Sequence, residues 1–261
     1  MPMRTTSIFA HRGSHMLIRY TTTRLFGRSP NPAVYSLLHT PKSYRTRTSR
    51  FESSISRNMA STGRIVNPVL FVCDVQEKFR TAIWEFPKVI STSAKMVKAA
   101  KILNIPIFCT TQNAARLGAT VQEITSLLPT DESAKTEVDK TAFSMMVPEL
   151  QAQLPTNPTA ALSVIVVGIE THICVTQTTL DLLAQGHRVY VLADGVSSCN
   201  AGERPIALNR LAREGAIVTT SESLLFELVR DAKDPNFKAI AGLVKETKDE
   251  TKVAVETFCK L

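Results

Sequence analysis

No two of the five cysteines (Cys73, Cys109, Cys174, Cys199, Cys259) form a CxxC pair, and their number is odd. That pattern argues against a zinc-ribbon ligand set or a disulfide framework, and it favours a reducing compartment. Long hydrophobic runs are also missing: nothing approaches the roughly 18 apolar residues that a membrane-spanning helix requires. No Gly-x-Gly-x-x-Gly follows the first apolar run, which removes the dinucleotide-binding fingerprint. Acid is scarce in one stretch only. Residues 1–64 hold eleven Lys and Arg against a single acid, Glu52, whereas the remaining 197 residues hold twenty basic and twenty-two acidic side chains. The overall charge of +8 is therefore a property of the leader. The body lacks the clustered basic residues with interleaved aromatics that a nucleic-acid surface would need.

The first 64 residues, rich in Ser, Thr and Arg (Arg4, Arg12, Arg19, Arg24, Arg28), have the composition of a mitochondrial targeting segment and are set aside from fold reasoning. The alternatives are an unrelated basic arm, or a cytoplasmic protein whose translation starts at Met59. The last three residues, Cys259-Lys260-Leu261, are a relative of the Ser-Lys-Leu peroxisomal address.

What is present is a core-forming sequence: 44% hydrophobic residues, with a mean hydropathy of +0.01, over a length suited to one sizeable α/β domain. Short apolar runs at residues 69–72, 107–109, 163–167, 188–193 and 216–218, with a weaker one at 135–139, read as six strands. Between them, helices are expected at 88–104, 121–128, 147–154, 174–185, 201–214 and 221–230. Strands apolar throughout, alternating with helices, imply a mostly parallel sheet covered on both faces, a three-layer α/β/α Rossmann-like fold. The domain is placed at residues 65–245, with 246–261 as a charged C-terminal tail.

Ligands of such sheets gather outside the carboxyl ends of the strands. Four chemically capable residues fall at that edge: Asp74, Gln112, Lys140 and Cys174. Asp74 can act as a base, a metal ligand or a cap. Lys140 taken alone reads as an ordinary surface lysine. Cys174 falls in the first turn of a predicted helix, where unpaired N–H groups favour an anion and a nearby ammonium adds to the effect. A packed, inert thiol is the competing reading. Cys73, Cys109 and Cys199 read as strand or core thiols. His172 and His187 lie on different elements, and no carboxylate stands at ligand spacing to them, so no metal site is expected. Glu170 is open between a pocket group and a cap.

Three blocks, "VLFVCDVQEKF", "DKTAFS" and "VVGIETHICVTQTTLDLLAQGHRVYVLADGVSS", resemble in order the conserved blocks of the isochorismatase-like cysteine hydrolases. The resemblance spans roughly residues 67–230. The stretch from "FPKVISTSAKMVKAAKILNIPIFCTTQ" and the tail "DAKDPNFKAI" are most similar to the eukaryotic isochorismatase domain-containing proteins. It implies the isochorismatase-like fold and a triad carried onto Asp74, Lys140 and Cys174. It also implies a cis Ile169–Glu170 peptide bond and an oxyanion hole from the backbone N–H groups of Glu170 and Cys174. Phe79, Gln112, Phe143 and His172 become candidate pocket residues. Isochorismatases proper lack the cysteine, so Cys174 points to the amidase-like branch. Nicotinamidases carry an Asp-x-His metal cluster after the second strand, where this chain reads "TTQNAARLG" without a histidine. The implied activity is metal-independent, cofactor-free cleavage of a small amide or related C–N substrate through a Cys174 thioester. The partners implied are a small molecule and further copies of the chain in a homodimer or homotetramer, with neither nucleic acid nor membrane. A catalytically silent binding or assembly protein with the same fold is the alternative from another class.

Overall fold

Along the first strand, Val69, Phe71 and Cys73 pack into one apolar cluster while Leu70 and Val72 pack into another, and all five are buried. This period-2 division, with neither face polar, is what a strand covered on both sides requires. The protein is described here by a computed structural model covering residues 65–128, 137–155 and 161–259. The expectations for residues 1–64, and for Lys260 and Leu261 of the C-terminal tripeptide, lie outside these described residues.

Six strands, β1 (Pro68–Cys73), β2 (Ile107–Gln112), β3 (Glu137–Lys140), β4 (Ser163–Ile169), β5 (Arg188–Ser197) and β6 (Ile217–Thr219), form one sheet in the order β3-β2-β1-β4-β5-β6. Every pairing is parallel. The order reverses direction beside β1, so β1 and β4 are central neighbours whose carboxyl ends open toward one crevice, the usual ligand position in such sheets.

Helices α1 (Phe86–Ile102), α7 (Ser221–Val229), α8 (Phe237–Glu246) and α9 (Lys248–Phe258) contribute to the first cluster, with Leu70, Val72, Ile165, Val167, Tyr190 and Leu192 from the sheet. The short helices α4 (Pro148–Gln151), α5 (Thr176–Ala184) and α6 (Glu203–Glu214) contribute to the second, with Phe71, Phe108, Val164, Val166 and Val191. Two further single-turn helices, α2 (Ala114–Leu117) and α3 (Gln122–Thr125), follow β2. The three-layer α/β/α architecture expected from the alternation of runs is therefore the observed one. Pro87 sits in the first turn of α1, where its missing N–H costs nothing, and Gly215 ends α6 at φ 107°, a left-handed cap that suits glycine.

Three expectations need correction. Residues 246–261 are not a tail outside the domain over their described part. Helix α9 buries Thr251, Ala254 and Phe258 against the rest of the protein, at the i, i+3, i+7 spacing of a helical stripe. Two buried cations hold it: Lys95 Nζ donates to Thr251 Oγ1 at 3.0 Å, and Arg204 Nη1 donates to the Phe258 carbonyl at 2.5 Å. The charge of its outward face hides this stripe from a reading by composition. Strand β5 runs to Ser197 rather than stopping near 193. Its register against β4 shifts between Val166 and Gly168, and Gly195 makes room there, since a Cβ on it would lie 2.9 Å from Val167 Cγ1. The helix expected at 174–185 begins at Thr176, preceded by a separate π-helical turn, Thr171–Val175.

Candidate active site

Asp74 directly follows β1 with φ 52°, a left-handed residue that turns the chain sharply after the strand. Its amide donates to the Thr110 carbonyl at 3.2 Å, and its carbonyl accepts from the Gln76 amide at 2.9 Å. Its carboxylate is buried: Oδ1 accepts from Thr110 Oγ1 at 2.7 Å, and Oδ2 accepts from Lys140 Nζ at 2.8 Å. Parallel registry makes this possible. Gln112 at the end of β2 pairs with Lys140 at the end of β3, and Cys73 at the end of β1 pairs with Thr110 of β2. Three strand ends therefore deliver a hydroxyl, a carboxylate and an ammonium to one place.

Lys140 is no surface lysine. Its side chain is 1% exposed, and its ammonium also donates to Gln112 Oε1 at 2.8 Å and to the carbonyls of Ala142 and Phe143 at 3.2 and 3.1 Å. Burial disfavours its charge. The surrounding acidic groups, Cys73, Asp74 and Cys174, outweigh burial, so its pKa stands above the ordinary lysine value.

Cys174 lies in the π-helical turn, with its side chain against the second cluster. The turn is closed by the Glu170 carbonyl, which accepts from the Ile173 amide at 3.0 Å and the Val175 amide at 3.1 Å. Thr176 Oγ1 donates to the Thr171 carbonyl at 2.6 Å and ties the turn to α5. The Ile169–Glu170 peptide bond is cis. Gly168, at φ 114°, precedes this turn, and a Cβ there would lie 2.1 Å from the Cys73 carbonyl oxygen. Only glycine lets β4 approach the end of β1 so closely.

A cavity of about 230 Å³ opens over these groups and is lined by Asp74, Cys174, Gln112, Glu170, Phe79, Leu117, Phe143, Ile169 and Ile173. Asp74, Gln112, Lys140 and Cys174, distant in sequence, are thus brought together, and Phe79 and Phe143 form part of the wall. His172 does not line this cavity. Its Nδ1 lies 2.9 Å from Ser198 Oγ, on the side facing the loop after β5.

Two participants were missed from the sequence. Cys73, read there as a core thiol, donates toward Asp74 Oδ2 at 3.7 Å and packs in the same buried cluster as Cys174. Burial, the neighbouring Cys174 and the Asp74 charge push its pKa well above the ordinary thiol value. Gln76, fully buried, accepts from the Gln112 amide at 2.7 Å and donates to the Gly118 carbonyl at 2.7 Å, bracing the loop that carries the cavity wall. Its position two residues after Asp74 was the available signal.

The sequence reading found no carboxylate at ligand spacing to either histidine. The fold does bring Glu170, His172 and Cys199 together, with one ligand atom from each within 4.8 Å of the others. The cause is topological, because the loop after β5 lies beside the turn after its neighbour β4. This group could hold a metal ion. One Glu170 oxygen already accepts from the Cys199 amide at 2.7 Å, a bond that pins the two segments together.

Comparison with known proteins agrees with the resemblance carried by the three blocks. Residues 68–223 match the isochorismatase domain. The chain is 46% identical over 196 residues to the secreted isochorismatase effector Isc1 of Phytophthora sojae, a match covering 74% of this chain and 93% of that protein. It is 44% identical over 189 residues to isochorismatase domain-containing protein 2A of Mus musculus, covering 72% and 88%. Among solved structures, the MAR1 ribonuclease of Caenorhabditis elegans superposes with a TM-score of 0.64 at 41% identity, covering 70% of this chain and 91% of that one. The fold and the site define an α/β hydrolase of the isochorismatase-like class. The chain belongs to the isochorismatase domain family, alongside the isochorismatase domain-containing proteins of eukaryotes.

Proposed function

We propose that the protein is a metal-independent cysteine hydrolase that cleaves a small amide or related C–N bond through a thioester on Cys174. The observation that carries this reading is the meeting, at one small cavity, of a sulfur with a buried carboxylate–ammonium pair. Burying two charges is costly, and replacing such a pair with apolar residues often stabilises a protein. A pair buried beneath a cavity beside a thiol is therefore better explained by chemistry than by stability.

In this mechanism Asp74 accepts the Cys174 proton as the sulfur attacks the substrate carbonyl carbon. Lys140 holds Asp74 in place and offsets the negative charge that the sulfur and the carboxylate share. The tetrahedral oxyanion rests on the backbone N–H groups of Glu170 and Cys174, a type of contact whose removal costs on the order of 3 kcal/mol of barrier. Asp74 returns its proton to the departing amine. Water then attacks the thioester carbonyl with Asp74 as base, releasing the acid and regenerating the thiol. Asp74 is held in position for this role by Thr110 on Oδ1 and Lys140 on Oδ2.

The test is a screen of small amides and ureides against the wild-type protein and Cys174→Ala in parallel. Turnover by the wild type alone, with the variant's circular dichroism and melting unchanged, is the expected result. Equal turnover by both would remove the nucleophile from the mechanism.

A further inference from the structure

The walls of the Cys174 cavity carry charge of one sign only. Among its lining residues Asp74 and Glu170 are acidic, none is basic, and Phe79, Leu117, Phe143, Ile169 and Ile173 make up most of the rest. The ammonium beneath the floor is not available to a ligand. Lys140 faces four acceptors, Asp74, Gln112 and two carbonyls, with three N–H donors, and its side chain is 1% exposed. Arg80, near Phe79 in sequence, is held by Glu77 and Glu123. Lys78 and Arg116, next to the wall residues Phe79 and Leu117, are exposed and lie outside the lining. A carboxylate or phosphate entering this cavity would lose water and meet the Glu170 carboxylate beside that of Asp74, whose cation, Lys140, is already fully engaged. No further cation stands among the described lining residues, so entry is unfavourable. The volume, about 230 Å³, falls below the about 300–1,000 Å³ typical of sites for drug-sized ligands.

We infer that the site selects a small, uncharged, largely apolar carbonyl compound and rejects anionic ones, carboxylic acids included. This rests on the hydrolase reading for its chemistry, but the selection by charge belongs to the cavity and can be measured without turnover.

Iodoacetamide and iodoacetate provide the probe. Each is attacked by the Cys174 sulfur at the same CH₂ carbon; the S–C bond forms, the C–I bond breaks and iodide leaves. They differ only in the neutral amide against the carboxylate. Labelling rates of the Cys174 peptide, followed by mass spectrometry near neutral pH, give a ratio for the folded protein. The same ratio in the urea-unfolded chain gives the intrinsic preference, and the thiolate fraction cancels in each. The folded ratio is expected to exceed the unfolded one by about 100-fold or more in favour of the amide. A second variant, Leu117→Lys, places a cation on the partly exposed wall and is expected to raise the iodoacetate-to-iodoacetamide rate ratio about tenfold, a ratio in which any change of the thiolate fraction cancels. Equal folded and unfolded ratios, no labelling of folded Cys174 by either reagent, or a Leu117→Lys ratio identical to wild type would each overturn the inference. Strong amide selectivity in labelling, combined with no amide hydrolysis in the screen, would preserve it and sink the hydrolase reading instead.

Discussion

Lys140 Nζ lies 2.8 Å from Asp74 Oδ2, and each side chain is 1% exposed. Removing one partner strands a charge in a place water does not reach. Lys140→Met is therefore expected to destabilise the fold by about 3–5 kcal/mol in urea titration. It should also lower turnover by at least about 100-fold, because the charge at the sulfur loses its counterion. The double variant Asp74→Asn/Lys140→Met should recover much of the stability and none of the activity, separating the structural from the chemical role. The raised pKa of Lys140 means that the pair's contribution is complete below the ordinary lysine value of 10.5 and is lost as pH climbs through the higher native value. The Lys140 contribution should thus hold through about pH 10. The buried thiols of Cys73 and Cys109, whose pKa values burial raises above the ordinary 9.0, should lower overall stability from about pH 9 upward in alkaline urea titrations.

Helix α9 makes a separate prediction. Phe258 is 5% exposed, meets Trp84 edge-to-face at 5.2 Å and lies 4.7 Å beneath the Arg204 guanidinium. Phe258→Ala should cost about 3–5 kcal/mol from the lost burial and the cavity left behind. The melting temperature is expected to fall by about 10 °C, while activity at low temperature persists because the cavity over Cys174 is lined by other elements. A variant that melts with the wild type would show α9 to be peripheral to the fold.

His187 supplies a pH dependence. Its Nδ1 accepts from the Leu162 amide at 3.2 Å, which requires the neutral ring, and burial lowers its pKa below the ordinary 6.5. The unfolded chain takes up the proton first as pH falls, so this residue's contribution is whole above pH 6.5 and declines from there toward the lowered native value. His187→Asn, which keeps an acceptor but does not titrate, should flatten the stability slope between about pH 5 and 7 measured by thermal melts. An unchanged slope would place the dependence on other groups.

Strand positions, sheet class and the four residues at the carboxyl edge were legible in the sequence because each rests on a local cue. A wholly apolar run such as residues 163–167 reads as a strand, and the first polar residue after it marks the edge. Legibility failed where the cause is long-range. The partnership of Cys73 with Cys174 depends on β1 and β4 being in register, Cys73 opposite Gly168, and on the glycine that permits the approach. Nothing near either cysteine states that. Helix α9 was hidden by its charged outer face, although Thr251, Ala254 and Phe258 already carried the helical spacing. The meeting of Glu170, His172 and Cys199 required knowing that β5 lies beside β4.

The most direct test of the mechanism is to catch the covalent intermediate. Wild-type protein mixed with a turned-over amide, quenched in acid within its first turnovers and weighed intact, is expected to carry the acyl group. Peptide mapping should place the added mass on Cys174, and Cys174→Ala should show none. Steady hydrolysis with an unmodified Cys174 at every quench time, together with full activity in Cys174→Ala, would contradict the account.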